Sequence, residues 1–255
     1  MTKVICFSLQ KGGVAKTTTT SITAYLLAEM GHKVLAVDFD SQGNLTAILT
    51  QQNIYDFTGR TVLEAIKENK AEEYTVKVTD NISVLPANDY LATISKYLYR
   101  DYTGVPVRAL EKALEPIRDQ YDYILIDTPP NLGDLTTNAL AASDYVVIPY
   151  ATDQWTFDAL FPFMETVEYV QKNVNESIKF VGILPRIIDS RVGETKDFLE
   201  ALDTYFPNKR FETTIKSNAA ARRLQMYGFF DNSEVNKAVR QYKPFLKELL
   251  ERCQK

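Results

Sequence analysis

The stretch FSLQKGGVAKTTTT, residues 7–20, decides the fold of this chain. It begins at the end of an apolar, strand-like run, KVICFSL (residues 3–9), and leads into the helical pattern TTTTSITAYLLAEMG, with Gly31 as its stop. Strand, glycine-rich turn and helix in that order make a phosphate-binding loop. The standard signature reads glycine, four residues, glycine, lysine, then serine or threonine. Counted back from Lys16 and Thr17, its glycine positions hold Gln10 and Ala15. The glycines stand instead at Gly12 and Gly13, behind a second lysine, Lys11. The loop is therefore either a decayed nucleotide site or one built to a different plan.

Working outward, apolar runs alternate with helical patterns. KVLAVDFD (33–40), NISVLPA (81–87), YDYILIDTPP (121–130), DYVVIPY (144–150) and IKFVGILPR (178–186) read as strands, with FETTI (211–215) a shorter candidate. Most are apolar throughout instead of alternating, which marks strands covered on both faces. The connections are long enough for helical crossovers. The expectation is an α/β fold of the P-loop NTPase type: one mostly parallel β-sheet with helices on both faces, residues 1–255 forming a single domain. RALEKALEPIRDQ (108–120) and NKAVRQYKPFLKELLERCQ (236–254) read as helices, the second with Pro244 as a possible interruption. Around the helical TVLEAIKEN (61–69), the region 51–79 reads as a flexible arm.

Composition narrows the class. Hydrophobic residues at 45% and charged residues at 24% suit a globular protein in water. No run is long enough for a transmembrane helix, and the start MTKVICFS lacks a signal peptide's pattern. Cys6 and Cys253, far apart in sequence, suggest neither a metal site nor a disulfide framework, so the cytosol is the expected compartment. The net charge of −4 argues against a surface coated with nucleic-acid contacts but leaves room for a local basic patch.

In such a sheet ligands bind beyond the carboxyl ends of the strands. Gly12 and Gly13 can bring backbone amides close to an anion, and the helix starting near Lys16 aims its free amides at the same point. The loop residues Gly12, Gly13, Val14, Ala15, Lys16, Thr17 and Thr18 are the candidate nucleotide contacts. Lys16 can reach the outer phosphates and Thr17 can place its hydroxyl on magnesium. Asp127, ending YILID, stands where a magnesium-linked carboxylate belongs. Asp38 and Asp40 end the neighbouring strand; if the strand continues that far, both carboxylates point to one side. They equally fit turn-forming acids ahead of Gly43 and Asn44. A dinucleotide fold would need glycine-x-glycine-x-x-glycine, which is absent.

KGGVAKTT (11–18), VDFDSQGN (37–44) and ILIDTPPNLG (124–133) together resemble the ParA/MinD family of deviant Walker A ATPases. That family's loop carries a signature lysine before two glycines, which resolves the opening choice in favour of a different plan. FETTIKSNAAARRLQMYG (211–228) with the late helix is most similar to the small, Soj-like ParA partition ATPases. The resemblance implies a weak ATPase using ATP and Mg2+, which forms a nucleotide-sandwich homodimer. Lys11 would cross to the partner's phosphates, Lys16 would act in its own subunit, and Thr17 and Asp127 would hold magnesium. Asp40 would position the attacking water close to the metal, and 128–133 would form a second switch. Asp153, Pro185 and Arg186 match the layout for base contacts, while Trp155 reads as core.

Small ParA proteins bind duplex DNA without sequence preference in the ATP state, and a ParB-like centromere-binding protein stimulates hydrolysis. The resemblance thus implies a nucleoid-associated partition ATPase for a plasmid or chromosome. Its DNA contacts would be Arg191, Lys216, Arg222 and Arg223, against the plainer reading of a solvated surface with balancing acids. Without an N-terminal helix-turn-helix region, specific operator binding is not expected. The alternative is a MinD-like scaffold that positions membrane or surface machinery. Membrane binding is disfavoured because Phe245, Leu246, Leu249 and Leu250 suit docking on the core, and Glu248 and Glu251 interrupt the flanking cations.

Overall fold

The structure is a computed structural model and describes residues 1–187, 192–230 and 232–254. Eight strands form one sheet: β1 (Lys3–Phe7), β2 (Val34–Asp38), β3 (Val76–Lys77), β4 (Ile82–Leu85), β5 (Tyr123–Asp127), β6 (Tyr145–Ala151), β7 (Lys179–Ile187) and β8 (Ile215–Lys216). Their spatial order is β3-β4-β2-β5-β1-β6-β7-β8, and every pairing is parallel except β3 with β4.

The continuous apolar runs are explained by two separate cores. Val4 and Cys6 of β1, Leu35 and Val37 of β2, and Ile124 and Ile126 of β5 face one core. Their neighbours Ile5, Phe7, Val34, Ala36, Tyr123 and Leu125 face the other. Alternate side chains leave a strand on opposite faces, so a sheet covered twice needs apolar residues at every position.

The first core is covered mainly by helices from the middle of the chain, including Asp134–Ala141 and Gln154–Asn173. The second is covered by Lys16–Glu29, Asn44–Thr50 and the C-terminal helices Ala219–Tyr227, Val235–Val239 and Tyr242–Arg252. Phe245, Leu246 and Leu249 are buried there and Leu250 packs against the same core, as expected for docking. No helix among the described residues is long and apolar enough to cross a membrane.

Several expectations are corrected. The helix expected at 61–69 is present as Val62–Glu68, started by a capping box between Thr61 and Glu64, and its Val62, Leu63, Ala65 and Ile66 enter the first core. Its neighbours are not an arm: they form a 3-10 turn, Ile54–Phe57, that buries Phe57, a short helix, Ala71–Tyr74, that buries Ala71, and the strand β3 paired with β4. The late helix breaks between Val239 and Tyr242, not at Pro244, which sits in the first turn of the final helix. A proline is tolerated there because first-turn amides have no helical acceptor. The pattern 108–120 divides into an α-helix, Ala109–Leu114, and a 3-10 segment, Glu115–Gln120, entered through Pro116. FETTI contributes only Ile215 to β8. Trp155 is not core: it is 75% exposed at the start of the Gln154–Asn173 helix, where its side chain falls on the solvent face.

Candidate nucleotide site

Pairing in register brings Phe7, Asp38 and Asp127 side by side at the carboxyl edge of β1, β2 and β5. Residues 8–15 turn above this edge before the helix Lys16–Glu29 begins. Two loop residues take left-handed backbone angles, Gly13 (φ +79°) and Ala15 (φ +69°). Ala15 is the residue before the helix, where the general signature has its second glycine, and it holds that conformation against the Cβ clash that glycine escapes.

Lys16 is 93% buried, and its ammonium donates to the Lys11 carbonyl at 2.9 Å. Burial lowers its pKa, while Asp127 and Asp40 pull it back up. Lys11 is half-buried and does not line the cavity above the loop.

The Thr17 hydroxyl donates to Asp127 at 2.6 Å, and Thr20 donates to the other carboxylate oxygen at 3.4 Å. Asp127 is fully buried, and burial, then the charges of Asp38 and Asp40, push its pKa up against the opposing pull of Thr17 and Lys16. Asp38 and Asp40 thus both press on Asp127, the carboxylate that Thr17 bonds. A divalent cation on Thr17 and Asp127 would relieve that repulsion, so the donor set fits magnesium, an ion that keeps waters and phosphate oxygens as its remaining ligands.

The two acids of VDFD part company. The strand stops at Asp38, so the shared side expected for an extended 38–40 does not arise. Asp38 is wholly buried and accepts from the Thr46 amide and hydroxyl, both at 2.7 Å, and from the Asp40 amide at 3.3 Å. Burial raises its pKa to about 6. It anchors the start of the Asn44–Thr50 helix. Asp40 instead lines the cavity and accepts from the Gln42 amide at 3.1 Å. Gly43, which follows both acids, turns the chain into the Asn44–Thr50 helix at φ +63°, where a Cβ would meet Ile54 Cγ2 at 2.7 Å and the Ala87 carbonyl at 2.8 Å. Across the site, the Thr128 hydroxyl bonds Ser8 Oγ at 2.9 Å, which ties the start of 128–133 to the end of β1.

The cavity holds about 440 Å3. One wall is the loop, with Gly12, Gly13, Val14, Ala15, Lys16, Thr17 and Thr18 all contributing. Arg186, at the end of β7, also lines it and donates to the Gly13 carbonyl at 2.8 Å. Pro185 and Asp153 do not reach it; both Asp153 carboxylate oxygens are engaged by Thr156, capping the helix that follows. Lys216 and Arg222 form part of the opposite wall, with Gln225, Gln241 and Tyr242. Sequence patterns did not single out those last three, because they come from two helices that reach the loop only through tertiary packing. Arg223 does not line the cavity and pairs bidentately with Glu234 at 2.6 and 2.8 Å. Arg191 lies outside the described residues.

Comparison with known proteins places this geometry among relatives. Residues 2–180 match the family described as "AAA domain". The sporulation initiation inhibitor protein Soj of Bacillus subtilis is 36% identical over 236 residues, covering 89% of each chain. Cobyrinic acid a,c-diamide synthase from Mycobacterium smegmatis, solved with ADP and magnesium, superposes with a TM-score of 0.81 at 30% identity, over 100% of this chain and 96% of that one. A putative plasmid partition protein from Borrelia burgdorferi, bound to AMPPNP, gives 0.79 at 27% identity, over 98% and 99%.

Proposed function

The chain belongs to the ParA/MinD family of deviant Walker A ATPases, near the Soj-like ParA proteins, and we propose that it works as a partition ATPase whose dimer forms with ATP. The observation that carries the mechanism is the divergence of the two loop lysines: Lys16 enters the cavity of its own subunit while Lys11 stays off its wall. A lysine held at the loop but outside its own site suits a partner's phosphates. Positive charge on the terminal phosphate would then be complete only when two subunits meet, which couples assembly to hydrolysis.

Lys16 and the loop amides hold the phosphates, and Asp40, on the cavity wall, orients the attacking water. Magnesium, when held by Thr17 and Asp127, neutralises charge on the outer phosphates. Weak hydrolysis without a partner follows if Lys11 must come from a second subunit. The synthase relative shares the nucleotide-binding frame, but nothing on this cavity wall points to its amide-forming chemistry.

In the ATP state the dimer would bind duplex DNA regardless of sequence, with Arg191, Lys216, Arg222 and Arg223 as its contacts. A ParB-like activator would release it by stimulating hydrolysis, in a cytoplasmic, nucleoid-associated cycle. Support comes from the relation to Soj across most of both chains and from the docked final helix, whose apolar face is not free for a membrane.

The test is retention on non-specific duplex DNA with ATP, ADP or no nucleotide across a salt series, beside anionic vesicles. ATP-dependent, salt-sensitive DNA retention that weakens in R191A is expected. Capture by vesicles without DNA binding would instead establish the MinD-like scaffold.

A further inference from the structure

The cavity carries more positive charge than its loop uses. Its wall presents four cations, Lys16, Arg186, Lys216 and Arg222, against one carboxylate, Asp40, in a chain whose net charge is −4. Two of the four are committed internally, Lys16 to the Lys11 carbonyl and Arg186 to the Gly13 carbonyl. The side chains of Lys216 and Arg222 are exposed and have no hydrogen-bond or ion-pair partner among the described residues.

Their backbones are nonetheless fixed. Lys216 exchanges two hydrogen bonds of 2.8 Å with the Gln241 amide. Arg222 sits in the Ala219–Tyr227 helix, capped by Asn218 and seated through Ala220, Ala221 and Leu224 on the second core. The neighbouring cation, Arg223, is neutralised by Glu234 and does not line the cavity. Uncommitted charge on a fixed wall facing phosphate-binding amides calls for an anion between them.

We propose that Lys216 and Arg222 are nucleotide ligands that grip the polyphosphate of a nucleoside triphosphate from the wall opposite the loop. A duplex, being a convex rod, cannot enter a cavity of about 440 Å3, whereas that volume lies within the range of roughly 300–1,000 Å3 usual for small-ligand sites. The two cations therefore serve the nucleotide first. Their place on the C-terminal elements lets a bound nucleotide hold the Ala219–Tyr227 helix, which also packs on the Asn44–Thr50 helix behind Asp40. This inference rests on the reading of the cavity as a nucleotide site.

Calorimetric titration of the full chain with ATP and magnesium tests it. R222A and K216A should each weaken ATP binding by about tenfold, and the double variant by more. R222K should recover part of the loss, K172A, at an exposed lysine that does not line the cavity, should bind as wild type, and the melting temperature of R222A and K216A without nucleotide should not move. Tripolyphosphate, lacking base and ribose, should compete less well against the double variant. If wild type binds ATP and the double variant binds it equally well, the inference is wrong. The same holds if only DNA retention falls. Wild-type protein that binds no ATP would overturn the nucleotide reading as well.

Discussion

The loop wall of the cavity, residues 12–18, and the wall opposite it differ in where their chain comes from and in how their charges are held. The loop wall is one continuous segment. Its groups are committed before any ligand arrives: Lys16 to Lys11, Thr17 to Asp127, and Ala15 to an unfavourable backbone conformation. The opposite wall gathers Arg186, several residues between Ile215 and Gln225, and Gln241 and Tyr242, and it leaves the Lys216 and Arg222 side chains without a partner among the described residues. A preorganised wall spends little on reorganisation when phosphate binds. An uncommitted wall can instead report binding to the elements that carry it.

This contrast can be broken at the loop. K16A should abolish productive ATP binding, with a loss of roughly 100-fold or more, because it removes the cation nearest the phosphates. Near-normal titration and turnover in K16A would remove the loop wall from the site. D40A should cut hydrolysis by about 100-fold while ATP binding and ATP-dependent dimers persist. Sedimentation beside phosphate release separates those effects; loss of nucleotide binding would make Asp40 a structural acid like Asp38.

Lys11 sharpens the comparison further. K11A should bind ATP within about threefold of wild type yet fail to hydrolyse it, since its ammonium lies off its own cavity wall. Mixing K11A with D40A should restore activity in one composite site. Loss of ATP binding in K11A alone would place the lysine in its own subunit's site.

Two stability effects are smaller. G43A should destabilise the fold by about 2–3 kcal/mol, from both the left-handed angle and the clash with Ile54 and the Ala87 carbonyl. A15G should stabilise it by about 1 kcal/mol, by relieving the strain of an alanine at φ +69°. Urea unfolding measures both. An A15G protein no more stable than wild type would mean that the loop wall stores no strain.

Much of the fold was legible because a sheet buried on both faces must be apolar at successive positions, as in KVICF and YILID. The helix at 61–69 was read correctly, but its neighbours within 51–79 were misread because very short helical turns and a two-residue strand leave too little periodicity to distinguish from an arm. Trp155 was misread because a large apolar residue in the first turn of a helix has no fixed face until the neighbouring layer is placed.

For the site, the sequence alone determined the loop, the helix behind it and the acid at the end of β5, since all three are local consequences of residue type and spacing. Only the tertiary structure decided that Asp38 anchors while Asp40 faces the cavity, because β2 ends at Asp38 and the Thr46 amide and hydroxyl of the following helix claim that carboxylate, leaving Asp40 on the cavity wall. It also brought Lys216, Arg222 and Tyr242 over a loop some 200 residues away in sequence. Nothing in their local pattern carries that information: it comes from the packing of the last helices on the second core.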